Sequence, residues 1–97
     1  MSSETYQVAH IREQGQDMII IPLNQRVGTY SQSQLNDLKR SLQFYASDAG
    51  LAGEVCLVWE SGRTFHFLAP TPWHAFFRSI NMSVVAANIN KKLTCRA

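Results

Sequence analysis

The chain has 97 residues, 45% of them hydrophobic and 16% charged, and a formal net charge of +2. This is one domain, residues 1–97, with the composition of an ordinary globular protein, and it excludes a repeat or low-complexity architecture. Its apolar runs, such as Met18–Ile21, are far too short to cross a bilayer, so no membrane partner is expected.

The N-terminal "MSSETYQ" has neither the basic region nor the apolar stretch of a secretory leader, which points to the cytoplasm. The two cysteines, Cys56 and Cys95, have no metal-ligand spacing and read as free thiols in a reducing compartment. Charge is unevenly placed. The first sixty residues hold all seven acids against four bases, a balance of −3; residues 61–97 hold five bases and no acid. Either the second half meets an acidic partner, or the halves complement each other within the fold.

In chain order, residues 5–12 read as a first strand and Gly15 marks a turn. Residues 17–23, "DMIIIPL", read as a second strand buried on both faces and ended by Pro22, which has no N–H to give a ladder. A loop leads to a helix over 32–49. Ser31 is its N-cap and Gln34 closes a capping box. Leu35, Leu38, Leu42, Tyr45 and Ala49 form its apolar stripe, and Gly50 ends it in a left-handed cap.

Residues 53–69, "GEVCLVWESGRTFHFLA", read as a β-hairpin with Ser61-Gly62 as its two-residue loop, pairing Glu60 with Arg63. One face then carries Cys56, Val58, Phe65 and Phe67. The other carries Val55, Leu57, Trp59, Thr64, His66 and Leu68. Neither face is polar, so either helices cover both, or one meets another copy of the chain.

Thr71 as N-cap and Pro72 at the first helical position start the next helix. Trp73, Phe76, Phe77 and Ile80 give it a stripe that packs on the sheet, with His74 and Arg78 on a different side at the rim. A last helix is predicted over 83–93 from Met82, Val85, Ala86, Ile89 and Leu93, with a strand as the alternative because Val84 and Val85 are β-branched. The expected fold is α+β: a four-stranded mixed sheet, helices mainly on one face, order β-β-α-β-β-α-α.

No complete catalytic or metal motif is present. His10 and His66 lie in predicted strands and would approach each other beside Cys56 only if register allowed, yet Cys56 and His66 fall on opposite faces. No catalytic residue, cofactor or metal is therefore assigned. The expected function is that of a non-catalytic, self-associating protein-binding module, a homo-oligomer or a binder of another protein. Its interface candidates are Trp59, Arg63 and His66, and Trp73, His74 and Arg78, aromatic groups edged by arginine. The alternative is an accessory nucleic-acid-binding protein using Lys91, Lys92 and Arg96. A small-molecule-binding protein or an enzyme is the remaining alternative.

The strings "GLAGEV", "VW" before the hairpin turn, "FLAPTPWHAFF" and "VAANINKKL" carry a resemblance. Residues 49–95 resemble a family of small bacterial proteins often encoded in integron mobile gene cassettes. The resemblance covers about half the chain and implies a soluble accessory protein. It brings no catalytic residues with it.

Overall fold

The computed structural model describes residues 3–13 and 15–96, with side chains for all of these except residues 3, 95 and 96. β1 (Ser3–Glu13) and β2 (Gln16–Pro22) form an antiparallel hairpin in which Glu13 pairs with Gln16 and Gly15 takes a φ of 77° in the turn. A 3-10 turn over Gln25–Thr29 leads to α1 (Gln32–Asp48). β3 (Glu54–Ser61) and β4 (Thr64–Leu68) make a second hairpin. A 3-10 turn over Thr71–Trp73 runs into α2 (His74–Arg78), then α3 (Met82–Ala87) and β5 (Lys91–Arg96).

The strands form one sheet in the order β4-β3-β2-β1-β5, parallel only between β2 and β3. The two central strands follow from sequence. Met18–Ile21 and Val55–Trp59 are buried throughout, as continuous apolar runs in a doubly covered sheet must be. Alternate residues feed two cores. On one face Val8, Ile19, Ile21, Val55, Leu57 and Trp59 meet Leu35, Leu42 and Ala46 of α1. On the other, Ala9, Met18, Ile20, Cys56 and Val58 meet Phe77 of α2 and Val85 of α3. Each such aliphatic side chain contributes roughly 1.5–3 kcal/mol by leaving water.

The helix expected over 32–49 forms with its predicted cap. Gln34 N–H donates to Ser31 Oγ at 3.1 Å, and Ser31 N–H donates to Gln34 Oε1 at 2.8 Å. At its end Leu51 N–H donates to the Ala46 carbonyl and Gly50 N–H to that of Ser47, with Gly50 at φ 82°, a Schellman closure. The Gln43 side chain then ties α1 to the sheet. Its Oε1 accepts from Val55 N–H at 2.7 Å and its Nε2 donates to the Gly53 carbonyl at 3.2 Å.

Four expectations are corrected. The sheet has five strands among the described residues, because residues 83–93 are not one helix. α3 stops at Ala87, and Asn90 pins the chain to β1: its Nδ2 donates to the His10 carbonyl at 2.8 Å, and His10 N–H donates to its Oδ1 at 2.9 Å. Leu93 then enters the α1 core rather than the one holding Val85 and Ile89. Helices cover both faces, α1 on one and α2 with α3 on the other. The second hairpin turns on Gly62-Arg63, with Ser61 paired to Thr64, because Gly62 at φ 65° takes the first loop position. This moves the pairing by two residues and so leaves every side chain on its expected face. Finally, Thr71 does not cap a helix; the chain enters α2 through the 3-10 turn, with no side-chain cap.

Candidate functional site

With helices on both sheet faces, the outer strands of the sheet are β4 and β5, while β1 pairs with β2 over Ala9–Glu13 and with β5 over Ser3–Val8. The outer strands lie four strand spacings apart, about 19 Å. The residues singled out from sequence divide between them.

Around β4 the two aromatic groups meet from opposite sides of one strand. On the α1 side His66 stacks on Trp59, ring centroids 5.6 Å apart and planes 15° apart. Trp59 is only 8% exposed, sunk between β4 and the Gln25–Thr29 turn. Arg63 stands exposed in the hairpin loop. On the other side Trp73 is half-buried against the second core, and Phe67 touches both Phe77 and His74, at 5.4 and 5.1 Å. His74 is not left at a solvent rim: its Nε2 lies 2.9 Å from the Ala69 carbonyl, which fastens α2 to the end of β4. Arg78 is exposed at the end of α2. The stretch "APTPWHAFFRSI" is thus largely the lid of the second core.

The backbone of β4 holds what sequence reading missed. A two-residue loop makes Ser61–Thr64 a hydrogen-bonded pair, and the pairs alternate from there. Trp59–His66 is hydrogen-bonded and Val58–Phe67 is not. The Val58 carbonyl accordingly points toward β2, where it accepts from Leu23 N–H at 2.8 Å. Phe65 and Phe67 therefore turn their N–H and C=O outward at the sheet edge. Placing the loop one residue earlier, as the sequence suggested, assigns those outward groups to Thr64 and His66 instead. The signal that would have found them is the demand of a first loop position for positive φ, which Gly62 meets and Ser61 does not.

At the other edge, Lys91 and Lys92 are exposed on β5, opposite Val8 and Gln7. Adjacent strand residues point to opposite faces, so the two ammonium groups do not form one patch. The Arg96 side chain, the third residue considered for nucleic acid, lies outside the described residues.

The conceivable His–Cys site does not assemble. β1 and β4 are three strand spacings apart, about 14 Å, and the registers offset His10 and His66 by a further four residues along the strands. His10 Nε2 lies instead 2.7 Å from the Ala52 carbonyl. Cys56 is buried on the face opposite His66, and burial, aided by the Glu54 carboxylate, pushes its thiol up to about 12. Such a thiol is a poor nucleophile and a poor metal ligand. Among the described residues no three His, Cys, Asp or Glu side chains are grouped to hold a metal ion, and no helix is long and apolar enough to cross a membrane. A groove of about 450 Å³ lies beside α2, lined by Met18, Trp73, Phe76 and Glu13. Its lining contains no nucleophile paired with a base.

Comparison of the chain with protein-family models, with curated proteins and with solved structures finds no match.

Proposed function

We propose that the protein is a non-catalytic, self-associating protein-binding module that works through the β4 edge. The observation that carries this reading is the outward backbone of Phe65 and Phe67, set in a strand without charge between Thr64 and Leu68. Natural sheet edges are usually blunted by charge, proline or a covering segment, and an unblunted aromatic edge is a template for another strand. The aromatics beside it, His66 on Trp59 and His74 on Phe67, are of the type that anchors interfaces. A role as a soluble accessory protein, as the resemblance of residues 49–95 implies, suits a module of this kind.

Nucleic-acid binding through β5 is the weaker reading. Two lysines on opposite faces of a strand give little to a phosphate backbone, and they are also what a guarded edge carries. Sedimentation and light scattering at low and high salt test the proposal. A salt-resistant dimer supports it. A monomer across the whole concentration range, with no capture of other proteins, overturns it.

A further inference from the structure

The β4 sequence is nearly a palindrome: "TFHFL" reads Phe-His-Phe about His66. A strand of that kind is complementary to itself when it runs antiparallel. We infer that β4 pairs with β4 of a second copy of this chain about a two-fold axis through His66, joining two five-stranded sheets into one. This rests on the proposed self-association and names its partner, its site and its register.

Three observations converge on a second copy. The first is backbone parity. In this register Phe65 faces the second copy's Phe67 as a hydrogen-bonded pair, each residue both donating and accepting, and the symmetry repeats the exchange on the other side of the axis. Those are the residues whose N–H and C=O point out of the sheet, and among the described residues no hydrogen bond uses these groups. A register shifted by one residue would instead set outward groups against His66 and Thr64, whose groups are turned in toward β3. The second is side-chain chemistry. Phenylalanine meets phenylalanine and His66 meets its own copy, both favourable cross-strand aromatic pairs, and no Lys, Arg, Asp or Glu falls between residues 64 and 68. The third is the contrast between edges. β5 carries Lys91 and Lys92, so pairing of that edge with itself or its reuse in a chain of copies sets like charges close together. An assembly through β4 alone is isologous and closes at two.

The register is tested by one cysteine. At a non-hydrogen-bonded antiparallel position the Cα atoms lie about 4.5 Å apart, inside the span of about 4.4–6.8 Å that a disulfide bridges. In a Cys95→Ser background, where the remaining native thiol is the buried Cys56, His66→Cys is expected to give a disulfide-linked dimer as the main product with oxidised glutathione. Thr64→Cys sits about 14 Å from its own copy in this register and is expected to give none. Equal linking at both positions, or none at residue 66, overturns the register. If the unmodified protein is a dimer in light scattering while residue 66 fails to link, self-association stands and this interface falls. If the protein is a monomer, both fall. Because His66→Cys gives up the stacking on Trp59, the unmodified chain supplies a second readout. The amides of Phe65 and Phe67 should exchange with deuterium at least tenfold more slowly at high protein concentration than at low. Exchange independent of concentration in a protein that dimerises overturns the proposal.

Discussion

Cys56 shows how a residue of reactive type is made structural by its surroundings. Its thiol lies within the sheet, near the Glu54 carbonyl at 3.7 Å, and the cause of its raised pKa is first burial and then the Glu54 carboxylate, opposed by Lys39. Its unfolded value is 9.0 and its folded value about 12. Above pH 9 the unfolded chain releases this proton while the folded one keeps it. The stability from the neutral thiol is therefore complete below pH 9 and is lost as pH climbs from 9 to about 12. Urea unfolding of the native chain and of Cys56→Ala is expected to differ in its pH slope above pH 9. The native chain should lose up to about 1.4 kcal/mol per pH unit more than the variant, whose residue has no proton to release. Parallel pH profiles would mean that the site is wetter than its burial indicates. Below pH 9 the native chain is the more stable of the two, since alanine leaves a void where sulfur packed.

At the scale of elements, the sequence is most legible where a signal is local. Ser31, Gln34 and Gly50 mark both ends of α1 within a few residues, and Pro22 stops β2. The side-chain faces of β3 and β4 survive an error in the loop because a shift of two residues preserves parity. β5 stands in the sequence only as the alternative to a helix over 83–93, because what creates it is not local. Met82, Val85, Ile89 and Leu93 keep helical spacing through the break, but Asn90 bonds both backbone groups of His10, eighty positions away, and its own N–H donates to the Val8 carbonyl at 3.0 Å. The asparagine amide imitates a peptide and starts the β1–β5 ladder. No periodicity records such a contact. Asn90→Ala is expected to cost about 1 kcal/mol in urea unfolding. It should also loosen the amides of β5 and of His10 in hydrogen exchange, while those paired between β2 and β3 keep their protection. Loss spread evenly over all five strands would show that β5 unfolds only with the whole sheet. The same limit applied to the candidate site. Trp59, His66, Trp73 and His74 were visible as residue types, but their meeting around one edge strand depends on strand order. The outward backbone of Phe65 and Phe67 depends on which residue opens a turn.

The whole molecule is a sheet with both faces covered and two unlike edges. The inferred pairing of β4 uses one edge and leaves a β5 at each end of the enlarged sheet. Growth through that outer strand would use β5, which begins Lys-Lys-Leu-Thr and whose exposed lysines oppose the approach. Both lysines face solvent, so their replacement does little to the fold. They pair in register with Val8 and Gln7, which are indifferent to their charge. Lys91→Thr with Lys92→Thr keeps β-forming residues in the strand and removes the repulsion. Light-scattering mass of the double variant is expected to rise with concentration past that of two chains, while the native mass levels off there. The β4 substitutions bear on the first contact and the β5 substitutions on the second, so the two sets act independently. A double variant whose mass levels off with the native protein would show that the charge of Lys91 and Lys92 is not what stops growth.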